Sequence, residues 1–163
     1  MTSTEQKSTG LVLSLSLAII PVVAASVIGS LATLPAIPGW YALLAKPSFT
    51  PPNWLFGPAW TTLYVMMAYA FFRILRQPAS DRTRPVAAFM IQIALNAAWS
   101  LAFFGRHSPL SGLAVMGPLW LAIAVTAVLF WTRDRLAGAL LIPYLAWVSF
   151  ASALNFEVWR LNP

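Results

Sequence analysis

Residues 85–105 read PVAAFMIQIALNAAWSLAFFG, 21 residues without a charge between Arg84 and Arg106. As a helix rising 1.5 Å per residue, such a run covers about 30 Å, the thickness of the hydrocarbon core of a bilayer. Pro85 suits a first helical position, where its missing N–H has no partner to lose. Gln92, Asn96, Trp99 and Phe103 are spaced by 4, 3 and 4 residues and fall on one stripe at helical periodicity. Ala94, Ala98 and Ala102 recur at every fourth residue and centre roughly 130° away. Amides are costly against lipid, so the first stripe is expected to face a bundle interior or a cavity. Gln92 and Asn96 serve equally well to join neighbouring helices by hydrogen bonds. The alanine row admits close approach of another helix and is the predicted homodimer contact. One such helix demands others around it.

The flanking sequence supplies them. Uncharged runs of 38, 26, 26 and 21 residues separate Lys7 from Lys46, Lys46 from Arg73, Arg106 from Arg133 and Arg135 from Glu157. Each meets the ~20 residues that a spanning helix needs. With 60% hydrophobic and 9% charged residues in 163, almost nothing remains for a soluble domain. The expected fold is all-α: one integral membrane bundle of five transmembrane helices over 1–163, with spans near 11–34, 54–75, 85–104, 109–132 and 136–159. Pro21, Pro58, Pro118 and Pro143 are tolerated because neighbouring helices re-satisfy the freed carbonyls. The runs lack the in–out alternation of a membrane barrel. Lys7, the apolar stretch from Leu11 and Val23-Ala24-Ala25 before Ser26 also resemble a secretory signal. The stretch continues to Leu34 with no polar break, so it is read as a span.

The few charges carry an orientation. Lys7, Arg73, Arg76, Arg82, Arg84, Arg133 and Arg135 fall on one side of the spans, and Lys46, Arg106 and Arg160 on the other. Seven against three predicts a cytoplasmic N-terminus in a bacterial cell-envelope membrane. The net charge of +6 and pI near 10.6 therefore express placement in lipid, and no nucleic-acid partner is expected. The absence of cysteine excludes disulfides, iron–sulfur ligation and thiol chemistry. His107 is the sole histidine, and no carboxylate lies within a span. Buried acid–base catalysis and proton-coupled transport thus lack their usual groups. No phosphate-binding glycine loop is present. No catalytic residue, metal or required cofactor is expected. Glu157 and Arg160, three apart, are expected to pair locally.

Aromatic residues repeat the helical stripe elsewhere. Trp60, Tyr64, Met67 and Phe71 share one face, and Tyr144, Trp147, Ala151 and Leu154 share another, with Phe150 and Asn155 at its margins. Such faces serve a packed core as readily as a ligand site. Residues 35–52 hold five prolines with Trp40, Tyr41 and Phe49 among them, and read as a stiff loop covering the bundle mouth. Aromatics converging from three helices beneath such a cover suit a large, flat, mostly apolar ligand.

Three blocks of this sequence resemble the TspO/MBR family, the tryptophan-rich sensory proteins and mitochondrial translocator proteins once called peripheral-type benzodiazepine receptors. The first is Trp40-Tyr41, Lys46-Pro47, Pro51-Pro52, Trp54, Pro58, Trp60-Thr61 and Leu63-Tyr64. The second is Gln92, Asn96, Trp99 and Phe103-Phe104-Gly105. The third is Pro143-Tyr144-Leu145-Ala146-Trp147, Phe150-Ala151, Leu154-Asn155 and Trp159-Arg160. The resemblance implies a five-helix bundle, commonly dimeric, that binds porphyrins such as protoporphyrin IX and acts as a receptor or transporter in tetrapyrrole handling or stress response. It further implies that Trp40, Tyr41 and Pro47 belong to the loop cover, and that Trp60, Asn96, Trp99, Phe103, Trp147, Phe150, Ala151 and Leu154 line the pocket. Light- and oxygen-dependent porphyrin breakdown, and a ligand-free role as a membrane assembly partner, are the alternatives. The sequence departs from the family pattern at Phe49 and Ser111, where relatives often carry tryptophan. It also has Phe156 beside Glu157 where the sterol motif of animal members needs a tyrosine, so sterol recognition is not expected.

Overall fold

A chain buried in hydrocarbon must satisfy its backbone N–H and C=O groups internally, and the helix is the local way to do so. The computed structural model describes residues 3–163, with side chains from Gly10 onward except those at 79 and 81, and among the described residues there is no strand. The side chains of Lys7 and Asp81 lie outside the described residues. The helices are α1 (Ser3–Ala36), α2 (Asn53–Leu75), α3 (Ala79–Ser100), α4 (Pro109–Trp131), α5 (Arg135–Ala139) and α6 (Ile142–Leu161). Five helical segments, Gly10–Tyr41, Asn53–Leu75, Arg82–Gly105, Pro109–Trp131 and Arg135–Leu161, are long and apolar enough to cross a membrane.

Two boundaries differ from the sequence expectation, each because of proline. The stretch from residue 35 is not loop throughout: α1 runs through Pro35 and continues as a π-helical turn over Ile37–Tyr41. Proline's fixed φ is itself helical. Pro35 and Pro38 remove two backbone donors, and the chain accommodates the loss by widening rather than by ending. Trp40 and Tyr41 therefore sit on helix, and the open connection shrinks to about residues 44–52. The last span is not one continuous helix over 136–159. It breaks after α5 at Leu140–Leu141, because Pro143 has no N–H for the carbonyl of Ala139, and α6 resumes at Ile142. A second π turn, Leu101–Gly105, prolongs α3, with Arg106 N–H donating to Leu101 O at 3.0 Å.

The core follows the sequence stripes. On α2, Met67 and Phe71 are buried, and on α3 Gln92 and Asn96 are, with Phe103 buried on the π turn that follows and Trp99 half-buried. Phe71 stacks on Phe89 at 4.0 Å between ring centroids, and Phe89 on Phe130 at 6.0 Å, joining α2, α3 and α4. Ala94 is exposed and Ala98 and Ala102 half-buried, so this row lies towards the outside of the bundle. Gln92 is fully buried with neither side-chain polar atom hydrogen-bonded.

One ion pair ties the turns of one end together. Arg73 Nη2 stands 2.8 Å from Asp134 Oδ2, linking the end of α2 to the α4–α5 turn. Asp134 also caps α5, its Oδ1 accepting from Ala137 N–H at 3.0 Å. Burial raises the Asp134 carboxyl pKa, but the Arg73 bond and the Ala137 N–H outweigh it, so the group titrates below the usual aspartate range. Because the folded-state pKa is depressed, this stabilisation is complete above the unfolded value of ~3.9 and fades as pH falls through the folded value. Asp134→Asn keeps a cap acceptor but is expected to remove that acid dependence, whereas Asp134→Ala also loses the cap, about 1 kcal/mol. Thermal unfolding in detergent between neutral and acid pH separates the two effects.

A candidate ligand-binding cavity

Helical periodicity turns three aromatic faces towards one another, and the space between them is a cavity of about 500 Å³. That is within the ~300–1,000 Å³ typical of small-molecule sites. Trp60 comes from α2, Trp99 from α3 and Trp147 from α6, and all three line it. Trp99 stacks on Phe103 at 5.3 Å, and Trp60 meets the edge of Tyr144 at 6.2 Å. Tyr41 and Phe103, one on each π turn, line the same end of the cavity with rings 6.3 Å apart. Wide turns recur at functional sites because they re-aim side chains that a regular helix would point elsewhere.

Several polar groups line the cavity, and two of them, on α3 and α6, are joined to each other. Trp99 Nε1 donates to Asn155 Oδ1 at 3.2 Å, and Asn155 Nδ2 donates to Pro109 O at 2.9 Å, so one amide on α6 joins α3 to the start of α4. Tyr64, in the wall itself, donates its hydroxyl outward to Asn96 Oδ1 at 2.9 Å, and behind the wall Asn96 Nδ2 donates to Tyr144 Oη at 2.9 Å. Gly112 makes this convergence possible: a Cβ there would lie 2.7 Å from Asn155 Oδ1 and 2.8 Å from a Phe103 ring carbon.

Of the residues singled out in the sequence, Tyr41, Trp60, Trp99, Phe103, Trp147, Ala151 and Leu154 line the cavity. Trp40, Pro47, Asn96 and Phe150 do not, and stand behind the walls instead. Trp40 stacks on His107 at 5.0 Å and presents an edge to Phe103 at 5.4 Å. Phe150 is packed between Phe49 at 6.3 Å and Trp147 at 5.8 Å. Pro47 accepts from the Thr50 N–H and hydroxyl and shapes the connecting turn. The sequence reading gave α1 no part in the site, yet Ser26, Gly29, Ser30, Thr33 and Ile37 form one wall. Their i, i+3, i+4, i+7 and i+11 spacing was the available signal, a stripe of small and hydroxyl residues within an otherwise aliphatic span.

The sequence pattern of the TspO/MBR family matches residues 17–160, nearly the whole bundle and every wall of the cavity. The chain belongs to the TspO/MBR family. It is 42% identical over 153 residues to protein CrtK of Rhodobacter capsulatus, covering 93% of this chain and 96% of that protein. It is 42% identical over 151 residues to the tryptophan-rich protein TspO of Archaeoglobus fulgidus, covering 93% of this chain and 98% of that protein. With the human translocator protein it shares 40% identity over 128 residues, 76% of this chain and 75% of its relative. Among TspO/MBR positions quoted above, the Glu157–Arg160 neighbourhood forms the expected local pair, with Arg160 Nη2 2.7 Å from Glu157 Oε2.

Proposed function

We propose that this TspO/MBR protein binds a tetrapyrrole of the protoporphyrin type in its cavity, as a receptor or carrier rather than as an acid–base enzyme. The observation that carries this reading is the convergence of Trp60, Trp99 and Trp147, from three helices, on one cavity of about 500 Å³. Indole faces stack on an extended π system with little conformational cost, each pair contributing ~0.5–1.5 kcal/mol beyond the area it buries. Among the described residues no carboxylate and no histidine lines the cavity, so the site offers surface and shape rather than an acid–base pair.

Protoporphyrin IX is expected to quench the tryptophan fluorescence of the purified protein saturably. Trp60→Ala combined with Trp147→Ala is expected to weaken binding at least about tenfold, equivalent to ~1.4 kcal/mol. Trp159→Phe, an exposed residue outside the cavity, is the control and should leave affinity unchanged. Equal affinity for the double variant and the unmodified protein would remove the cavity from consideration.

A further inference from the structure

A second void of about 450 Å³ lies along the outer junction of α1 and α2, lined by apolar side chains such as Leu15, Ile19, Val23, Val65, Ala68 and Phe72. Leu15, Ile19, Val23 and Val65 are all exposed on the membrane-facing surface. This groove and the tryptophan cavity have three lining residues in common: Ser26 on α1, and Thr61 and Tyr64 on α2. The two spaces thus adjoin at these residues, the groove lying on the outer face of α1 and α2 and the cavity reaching in between the helices.

We infer that the cavity is loaded sideways from the bilayer, through a portal between α1 and α2 at Ser26, Thr61 and Tyr64. The inference rests on reading the cavity as a site for an apolar ligand, which concentrates in hydrocarbon rather than in water. Two of the three polar side chains at this junction are already engaged within the bundle. The Thr61 hydroxyl donates to Gly57 O at 2.9 Å and the Tyr64 hydroxyl to Asn96 at 2.9 Å. Among the described residues no side-chain hydrogen bond joins α1 to α2, so parting them breaks none. The helix α1 is also the least buried span, 17% of its most apolar stretch against 22–33% for the others. Pro21, level with the groove, removes the backbone bond to the Leu17 carbonyl and gives α1 a place to flex.

The alternative route, through the connection between α1 and α2, is fastened. Asn162 clamps Ala45 on both sides, accepting from its N–H and donating to its carbonyl at 3.0 Å each. Lys46 Nζ donates to Tyr41 O at 2.6 Å and Leu44 O at 3.2 Å and lies 4.6 Å above the Tyr41 ring. Opening there breaks the two Asn162 bonds that tie the connection to α6, whereas opening between α1 and α2 costs only dispersion contacts that lipid replaces.

The test is stopped-flow tryptophan quenching by protoporphyrin IX with the full chain in lipid nanodiscs. Ala68→Trp fills the groove from a position that lines it and not the cavity. Val65→Cys does so after folding, once labelled with a bulky maleimide, and the absence of native cysteine makes that label unique. Both are expected to slow association and dissociation together by about fivefold or more, leaving their ratio within about twofold. Asn162→Ala, which unclamps the connection, is expected to leave the association rate unchanged. Equilibrium binding retained with both rates unchanged in the plugged proteins would overturn the portal while the functional reading stands. Faster association in Asn162→Ala would overturn it also, by placing the route at the connection. Absence of any quenching in the unmodified protein would overturn the reading of the cavity, and the portal with it.

Discussion

Gly138→Ala is expected to destabilise the bundle by about 3 kcal/mol, the upper part of the range for overpacking. A Cβ at this position would stand 2.7 Å from the N, Cα and Cβ of Trp131. Those atoms belong to the last turn of α4, where retreat means moving backbone and not swinging a side chain. The turn cannot easily loosen, because Asp134 is held by Arg73 on one side and caps α5 on the other. Gly117→Ala is the matched control: it sits inside α4 with nothing within 4 Å of the added carbon. That substitution should be neutral, or stabilising by up to ~1 kcal/mol from lowered backbone entropy. Thermal unfolding in detergent, followed by circular dichroism, compares the two. Similar losses in both variants would show that close approach at Gly138 is not what limits the fold.

The second large effect belongs to Asn96→Leu. Its side chain accepts from Tyr64 and donates to Tyr144, so α3 is held to α2 and α6 by one amide. Tyr144 is fully buried, and removing Asn96 leaves its hydroxyl without this donor. Each orphaned group costs ~1–3 kcal/mol, which puts the total near ~2–6 kcal/mol for the pair. The triple variant Asn96→Leu, Tyr64→Phe, Tyr144→Phe removes the orphans as well and should recover most of the loss, since a network deleted whole costs less than one broken. If the triple variant is no more stable than Asn96→Leu alone, the network is not the source of the effect. Because Asn96 and Tyr144 stand behind the cavity wall and Tyr64→Phe keeps the ring that lines it, the recovered triple protein should still quench with protoporphyrin.

Periodicity made much of this legible beforehand. The stripe of Gln92, Asn96, Trp99 and Phe103 turns inward as its spacing demands, and so do Met67 and Phe71 on α2 and Tyr144 on α6. Spacing reports which face of a helix points inward. It does not report at what depth along the axis a residue meets its neighbours. Asn96 and Trp99 share a face, yet one closes a hydrogen-bond network behind the wall and the other lines the cavity. Proline density around Trp40 and Tyr41 signals a loop, and the π turn that absorbs Pro38 has no sequence signature comparable to a cap.

The sequence by itself determined the class of fold, five apolar helices, and the aromatic composition of their inner faces. Bilayer thickness and the cost of unpaired backbone in hydrocarbon leave a chain of this hydropathy little else to be. Only the tertiary structure decided that Tyr41 and Phe103 meet at one end, that α1 supplies a wall through Ser26 and Thr33, and that Asn155 reaches Trp99 across 56 positions. It also decided where α1 and α2 part, because contacts between helices depend on how closely glycines let backbones approach and on the rotation each π turn introduces. Neither quantity is local to any stretch of the chain.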